Sequence, residues 1–121
     1  MSASIVKVLS GVACACSLAL AACGPWLPLP KPGTHEGEEP ILVPSAPPAP
    51  QVEIVPERPV DSPSAVWVDG QWLFRGRRWE WEPGRWEVPP PGATYAAPLV
   101  VYLPDKRIAW HAGRWRAGAS R

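Results

Sequence analysis

The sequence has little cysteine, histidine or methionine, and it carries no recognisable catalytic set. Its 121 residues include three cysteines, all within the first 23 positions, and two histidines, His35 and His111. The histidines are far apart, no zinc-type ligand spacing or glycine-rich phosphate loop is present, and nothing forms a Ser/His/Asp or Cys/His arrangement. Glu80 and Glu82 share a strand face, but exposed carboxylates beside Arg78 are the simpler interpretation. We therefore predict no enzymatic activity, no cofactor and no metal.

The N-terminal segment has almost no charge. Lys7 is the only charged residue before residue 31, and Val8 to Ala22 is uncharged and rich in Ala, Leu and Val. These 15 residues are too few for a confident membrane span and match the apolar core of a secretion signal. We predict that residues 1–22 are a lipoprotein signal peptide. An ordinary cleaved signal and an uncleaved anchor are the alternatives.

The signal ends in a motif that predicts lipid attachment. Residues 20–24, Leu-Ala-Ala-Cys-Gly, resemble the bacterial lipobox, in which cleavage before the cysteine is coupled to acylation of its sulfur. Cys23 is therefore the predicted lipid-attachment site, and Cys14 and Cys16 would leave with the signal. The mature chain would then have no free thiol and no disulfide. Gly24 in place of Asp favours the outer membrane by resemblance to enterobacterial sorting rules, with the leaflet left open.

Proline dominates the next segment. Twelve of the 18 prolines lie between Pro25 and Pro63. Proline has no N–H group and disfavours helix in the residue before it, so residues 23–63 are predicted to be a disordered, polyproline-like linker behind the lipidated cysteine. At ~3.1 Å per residue, such a spacer would reach on the order of 120 Å. The run from His35 to Glu39 could be imagined as a metal site, but a solvated charge run is the simpler interpretation.

The last 55 residues contain three words of the form WxxGxW. Six of the eight tryptophans lie in them. A two-residue turn at the third and fourth positions would place the two tryptophans of one word opposite each other on paired antiparallel strands. The predicted repeat-motif residues are Trp67, Gly70, Trp72, Trp81, Gly84, Trp86, Trp110, Gly113 and Trp115.

Residues 64–121 alternate apolar and polar side chains, as antiparallel strands with one covered face do. Apolar pairs five residues apart recur every seven residues, which predicts short strands joined by tight turns. The predicted pairs are Trp67 with Trp72, Phe74 with Trp79, Trp81 with Trp86, Leu103 with Ile108, and Trp110 with Trp115. The predicted domain is all-β, a small antiparallel up-and-down meander of short hairpins with about six to seven strands. Positive φ is expected in the turns at Gly70, Gly76 and Gly84, and Gly76-Arg77 is predicted to form a type II′ turn with glycine first.

The repeated words are similar to those of the YXWGXW-repeat proteins, also called WXXGXW-repeat proteins. These are small secreted or lipid-anchored proteins of Gram-negative bacteria. The resemblance covers about residues 65–118 and extends to the lipobox and proline-rich layout. It implies an envelope location and a repeat fold, and it implies no activity for any residue. Residues 95–100, where another word would fall, have neither Gly nor Trp and predict an irregular middle of the sheet.

Two functions follow from these features. The first is a lipid-anchored envelope protein whose tryptophan-rich module is a structural or protein-interaction element, with oligomerisation as one form of that interaction. Short sheet edges rich in Val and Trp pair readily with other chains. The membrane is the expected partner of the acyl anchor, and nucleic acid is not expected, since an exported lipoprotein rarely meets it.

The alternative function is binding of a glycan, peptidoglycan or lipopolysaccharide. Tryptophan rings stack on sugars, and arginines pair with phosphates and carboxylates. The chain from residue 64 carries nine basic and five acidic residues, a net charge of +4, whereas residues 24–63 carry two basic and six acidic, a net charge of −4. Exposed tryptophan rings would favour this alternative and covered rings would favour the scaffold. The candidate ligand-binding residues are Trp79, Arg75, Arg78, Arg85 and Arg114.

Overall fold

The structure, a computed structural model, describes residues 26–118, so the predicted signal peptide and Cys23 lie outside the described residues. Within this range the chain forms nine strands and no helix, and none of its segments is a helix able to span a bilayer. The all-β antiparallel class predicted from the sequence is confirmed; eight strands, rather than six to seven, follow residue 64. The strands are β1 (Ile41–Val43), β2 (Val66–Val68), β3 (Gln71–Arg75), β4 (Arg78–Glu82), β5 (Arg85–Glu87), β6 (Thr94–Ala96), β7 (Leu99–Tyr102), β8 (Ile108–His111) and β9 (Arg114–Arg116).

The first two words form one long interrupted hairpin, here called hairpin I (residues 66–87). Its inner half is β3 paired with β4, and its outer half is β2 paired with β5. The turn at Gly76 and Arg77 has φ of 55° and 65°, so both central residues are left-handed. This is the pattern of a type I′ turn, whose twist matches that of the flanking strands, rather than the predicted type II′.

The rest of the chain repeats this plan as hairpin II (residues 94–116). β7 pairs with β8 in its inner half, and β6 pairs with β9 in its outer half. Its turn is longer, because the Leu103 and Arg107 backbones bond around three residues, the last of which, Lys106, has φ of 68°. Such a turn shifts the predicted Leu103–Ile108 pair by one residue, and Tyr102 faces Ile108 instead.

The tryptophans pair between words, not within them, which corrects the predicted register. Trp67 lies opposite Trp86 and Trp72 lies opposite Trp81, with edge-to-face rings whose centroids are 5.6 Å and 5.3 Å apart. Two words therefore run antiparallel along the whole length of hairpin I. The predicted Phe74–Trp79 pair is confirmed, with centroids 5.1 Å apart, because it flanks a true two-residue turn.

The glycine of each word is required for close packing, which corrects the prediction of positive φ at Gly70 and Gly84. Positive φ occurs at Gly76 but not at these two positions. A Cβ on Gly70 would collide with the Trp81 ring and lie 2.8 Å from the carbonyl oxygen of Glu82. A Cβ on Gly84 would collide with the Trp67 ring. The first tryptophan of each word thus lies over the glycine of the opposing word, where no side chain fits.

The proline-rich segment differs from the expected free spacer. Residues 26–63, here called the arm, run along both hairpins. β1 within the arm pairs with β8, Tyr95 in β6 exchanges backbone bonds with Lys31 and Gly33, and Trp67 donates its backbone N–H to Pro28. Proline stiffens the arm in an extended form without preventing its carbonyls from accepting hydrogen bonds, so the hairpins bind it along its length.

The core lies where the arm and the two hairpins meet. Its most buried apolar residues come from all three parts, which shows that the arm completes the core rather than extending away from it. They are Val43, Ala65, Trp67, Val68, Ala96, Ala109 and Trp110.

Candidate functional site: the tryptophan face and its arm

Four indole N–H groups of hairpin I hold the arm. Trp72 donates to the carbonyl oxygen of Ala49 at 3.0 Å, and Trp86 donates to that of Pro56 at 2.9 Å. Trp79 donates to the hydroxyl of Ser45 at 3.4 Å, and Trp81 donates to a carboxylate described below. A polyproline-like segment presents unpaired carbonyls, and an aromatic surface with outward N–H groups is the usual partner of such a segment. Here the ligand is the protein's own chain.

Hairpin I is interrupted between its inner and outer strand pairs, beside Gly84. The carboxylate of Glu53 occupies this break. Its oxygens accept the backbone N–H of Gly84 at 2.9 Å and 3.2 Å and the indole N–H of Trp81 at 3.2 Å. The backbone between β4 and β5 leaves the strand ladder at this point, so the Gly84 N–H needs another acceptor. Glu53 was not among the predicted site residues. Its one signal was a single carboxylate within the otherwise apolar run from Val52 to Val55.

The equivalent break in hairpin II is filled by Gln71 of hairpin I. The Gln71 side chain accepts the Gly113 N–H at 2.8 Å and donates to the Gly113 carbonyl at 3.3 Å. Trp115 donates its indole N–H to Glu87 at 2.6 Å, and Trp79 meets Trp110 edge to face with centroids 5.3 Å apart. These contacts join the two hairpins through Trp110, Gly113 and Trp115 of the third word.

The tryptophan rings are mostly covered. Trp67 and Trp110 are 4% exposed, and the other five motif-region tryptophans are half-buried, including Trp79, a candidate ligand-binding residue. Trp26, at the start of the described residues, is the exception, with 87% exposure. An array of open rings suited to stacking on sugars is therefore absent from residues 26–118.

The candidate arginines lie on the surface and face carboxylates of the same chain. Arg75 is 3.6 Å from Glu82 and Arg78 is 3.0 Å from Glu80. Arg85 contacts both Glu82 and Glu87, and Arg114 is 3.4 Å from Glu38. Arg75 and Arg114 line a common cavity, and Arg78, Arg85 and Trp79 are not among its lining residues.

Glu87 is contacted by charged and polar groups from both hairpins. Burial would raise its pKa, but the hydrogen bond from Trp115 and the ion pair with Arg85 outweigh burial and lower the pKa of Glu87 below its ordinary 4.5. Burial likewise opposes the charged form of Arg85, yet Glu87 and Glu82 raise the pKa of Arg85 above its ordinary value. Glu87 therefore stays ionised and links the two hairpins.

A second cluster joins the arm to hairpin II. His35 and Glu38 of the arm meet His111 at the end of β8, and a ligand atom from each lies within 4.8 Å of the others. From the sequence, His35 was assigned to a solvated charge run distant from His111, because nothing in the local sequence shows that residues 76 positions apart meet.

Searches of family models, of curated proteins and of solved structures find no match to this chain. The geometry alone therefore defines what the surface can do: it binds an extended, proline-rich, carbonyl-presenting segment and buries aromatic rings against it.

Proposed function

We propose that this protein is a lipid-anchored envelope protein whose tryptophan-rich β module is a structural or protein-interaction element. The observation that supports this proposal best is the covered tryptophan face, where the chain's own arm accepts indole N–H bonds from Trp72 and Trp86. Tryptophan rings that pack inside the protein stabilise its fold and leave little exposed aromatic surface on which a sugar could stack. In this proposal the motif words stabilise the fold, and a partner binds at a different surface of the module.

The edges of the three-stranded sheet are the surface that fits a protein partner. In the order β1-β8-β7, β1 and β7 are the outer strands. Ile41 and Leu42 of β1 are 49% and 53% exposed, and Leu99 and Tyr102 of β7 are 47% and 70% exposed. Edge strands with exposed apolar side chains add a strand from another chain readily, including a second copy of this protein.

The anchor is tested by metabolic labelling with a fatty-acid probe. Wild-type protein should be labelled and fractionate with the outer membrane, and the Cys23→Ser variant should be unlabelled. Cys16→Ser is the matched control and should be labelled like wild type. Labelling that survives the Cys23→Ser substitution would contradict the lipoprotein part of the proposal.

The interaction is tested by photo-crosslinking in whole envelopes. A photoreactive residue at Leu42, on the β1 edge, should give a discrete protein adduct. The same residue at Val60, which is 100% exposed but outside the strands, is the control and should give none. Equal crosslinking at both positions would argue against an edge-mediated partner. Recovery of the protein only with peptidoglycan, and its release by muramidase, would favour the glycan-binding alternative instead.

A further inference from the structure

Three side chains with metal-ligand chemistry meet where the arm contacts the end of β8. The side chains of His35 and Glu38 are 8% and 13% exposed, and His111 is 8% exposed. The imidazole rings of His35 and His111 stack with centroids 4.4 Å apart and an interplanar angle of 22°. Sequence-distant groups are therefore held together in a place that water reaches poorly.

The hydrogen bond made by one nitrogen of His35 leaves its other nitrogen facing a carboxylate without a proton between them. Its Nε2 lies 2.6 Å from the carbonyl oxygen of Ala97, which only accepts, so Nε2 carries the hydrogen. A neutral imidazole then has a lone pair on Nδ1, and that atom faces the Glu38 carboxylate Oε2 at 3.2 Å. Two lone pairs at this distance repel unless a proton or a metal cation lies between them.

His111 supplies a second, independent observation. Its Nδ1 is fully buried and has no hydrogen-bond partner among the described residues. Buried polar atoms in folded proteins are nearly always paired, and an exception calls for a specific explanation such as an ion. A cation bound in this cluster would account for both His35 and His111.

We propose that His35, Glu38 and His111 bind a divalent transition-metal ion of the Zn²⁺ or Cu²⁺ class. Two imidazoles and one carboxylate form a donor set that these ions prefer. Tetrahedral Zn²⁺ with bonds of ~2.0–2.2 Å separates its ligands by roughly 3.4 Å, close to the Nδ1–Oε2 distance. The bond from His35 Nε2 to Ala97 matches the outer-shell contact that orients a metal-binding histidine.

Two arginines set the electrostatics of the site. Arg116 lies 2.8 Å and Arg114 lies 3.4 Å from the Glu38 carboxylate. Both guanidinium groups favour the charged carboxylate of Glu38, which is the form that ligates a cation. The same positive charges oppose a cation, so we expect moderate rather than very tight binding. A bound ion would fix the arm to the end of β8.

The test is a Zn²⁺ titration of the full chain, purified without a histidine tag and kept in detergent. The sequence has two histidines, so their ring Cε1–H resonances report directly on the site. We expect one equivalent of Zn²⁺ to shift both resonances together and to raise the unfolding temperature, while Mg²⁺ does neither. Cu²⁺ should give an electron paramagnetic resonance signal with nitrogen coupling. Histidine resonances that respond to pH but ignore Zn²⁺ would overturn the proposal and leave a protonated His35–Glu38 pair in its place.

Variants localise the ion. Glu38→Gln and His35→Gln should each weaken Zn²⁺ binding by about tenfold or more. Glu39→Gln, an exposed neighbour in the same charge run, should bind like wild type. Trp fluorescence checks that each variant is folded, and the wild-type resonance shifts decide the matter if a ligand variant does not fold. Unchanged affinity in both folded ligand variants, or equal loss in Glu39→Gln, would overturn the site.

Discussion

Hairpins I and II have the same register but different side chains. In hairpin I, four tryptophans from two complete words form the cross-strand pairs. In hairpin II, Tyr95 lies opposite Trp115 and Val100 lies opposite Trp110, so residues 95–100 occupy the place of a fourth word. The segment that departs from the motif in sequence follows it in structure. The hairpin architecture therefore depends on where aromatic and small residues meet across the strands. It depends less on whether each of these positions holds a tryptophan.

The difference between the hairpins lies in how each break is filled. Hairpin I takes the Glu53 carboxylate from the arm, and hairpin II takes the Gln71 amide from hairpin I. Pro98 stands where a word would have its glycine, and Tyr95 covers Gly113 as a tryptophan covers Gly70 and Gly84. The break in hairpin I is thus filled by the arm, whereas the break in hairpin II is filled by hairpin I.

The largest expected effect is a difference in stability between alanine substitutions at the motif glycines of the two hairpins. Gly70→Ala should destabilise the full chain by ~3 kcal/mol, because the new Cβ meets the Trp81 ring and the rigid backbone of Glu82. Gly113→Ala should cost less, about 1–2 kcal/mol, since its obstacles are side-chain atoms of Tyr95 and Pro98. Urea unfolding followed by Trp fluorescence measures both.

Gly76→Ala and Asp69→Ala are the matched controls for the glycine prediction. Gly76 has open space and only a positive φ, so alanine should cost about 1 kcal/mol. Asp69→Ala removes the 2.8 Å bond from the Trp67 indole and should also cost about 1 kcal/mol. Equal midpoints for Gly70→Ala and Gly76→Ala would mean that close packing is not what requires glycine in the word.

The next effect tests whether hairpin I depends on the arm. Glu53→Ala should destabilise the fold by about 2 kcal/mol, because the Gly84 and Trp81 N–H groups lose their acceptor. Glu57→Ala, an exposed carboxylate four residues away, should be neutral. Hydrogen exchange should rise at Gly84 in the first variant, while Gly113 stays protected by Gln71. Equal exchange rates at Gly84 and Gly113 in this variant would contradict the claim that only the break in hairpin I is filled by the arm.

A smaller effect distinguishes pairing between words from pairing within them. A double-mutant cycle of Trp72→Phe and Trp81→Phe should give a coupling energy of about 1 kcal/mol, since the rings meet edge to face. The cycle of Trp67→Phe with Trp72→Phe should give almost none, although these residues share a word. The opposite ranking would restore the pairing expected from sequence alone.

The smallest effect is the pH dependence at the junction of the hairpins. The pKa of Glu87 is lowered in the fold, so its contribution to stability is complete above 4.5 and is lost as pH falls below 4.5. Trp115→Phe removes one stabilising bond and should flatten the slope of unfolding free energy below pH 4.5. Trp86→Phe is the control, since its indole bonds a backbone carbonyl that does not titrate. Identical slopes in all three proteins would show that Glu87 is not the group responsible.

Alternation and turn chemistry were enough to predict the class of fold. Period-two patterning predicted antiparallel strands, and Gly76-Arg77 with Phe74 and Trp79 predicted the turn and its flanking pair. These signals are local, because neighbours across a tight turn are also neighbours in sequence. The pairing of Trp67 with Trp86 is not local. A period of five residues between aromatics fits both a small hairpin and an antiparallel pair of words, and only the three-dimensional arrangement separates them.

The candidate site was less accessible from sequence. Proline content predicted a free segment, since prolines cannot join a strand ladder as donors. Their carbonyls remain acceptors, however, and four of the seven tryptophans after residue 66 donate their indole N–H to the arm. The indole donors of Trp72 and Trp86 and the lone carboxylate of Glu53 were the available signals for docking of the arm. Each became informative only when paired with a group far away in the sequence, and the same holds for His35 and His111.

If Cys23 carries the proposed acyl chain, the docked arm also sets the height of the molecule above the membrane. A free spacer of about 40 residues would reach on the order of 120 Å. With residues 26–63 bound to the hairpins, an acyl chain on Cys23 would be separated from Trp26 by two residues, and the two Cα atoms would lie about 11 Å apart at most. An anchored molecule would hold its β module and the exposed Trp26 at the headgroup layer. Partners would then be membrane neighbours, and distant envelope layers would come within reach only if the indole bonds to the arm were released.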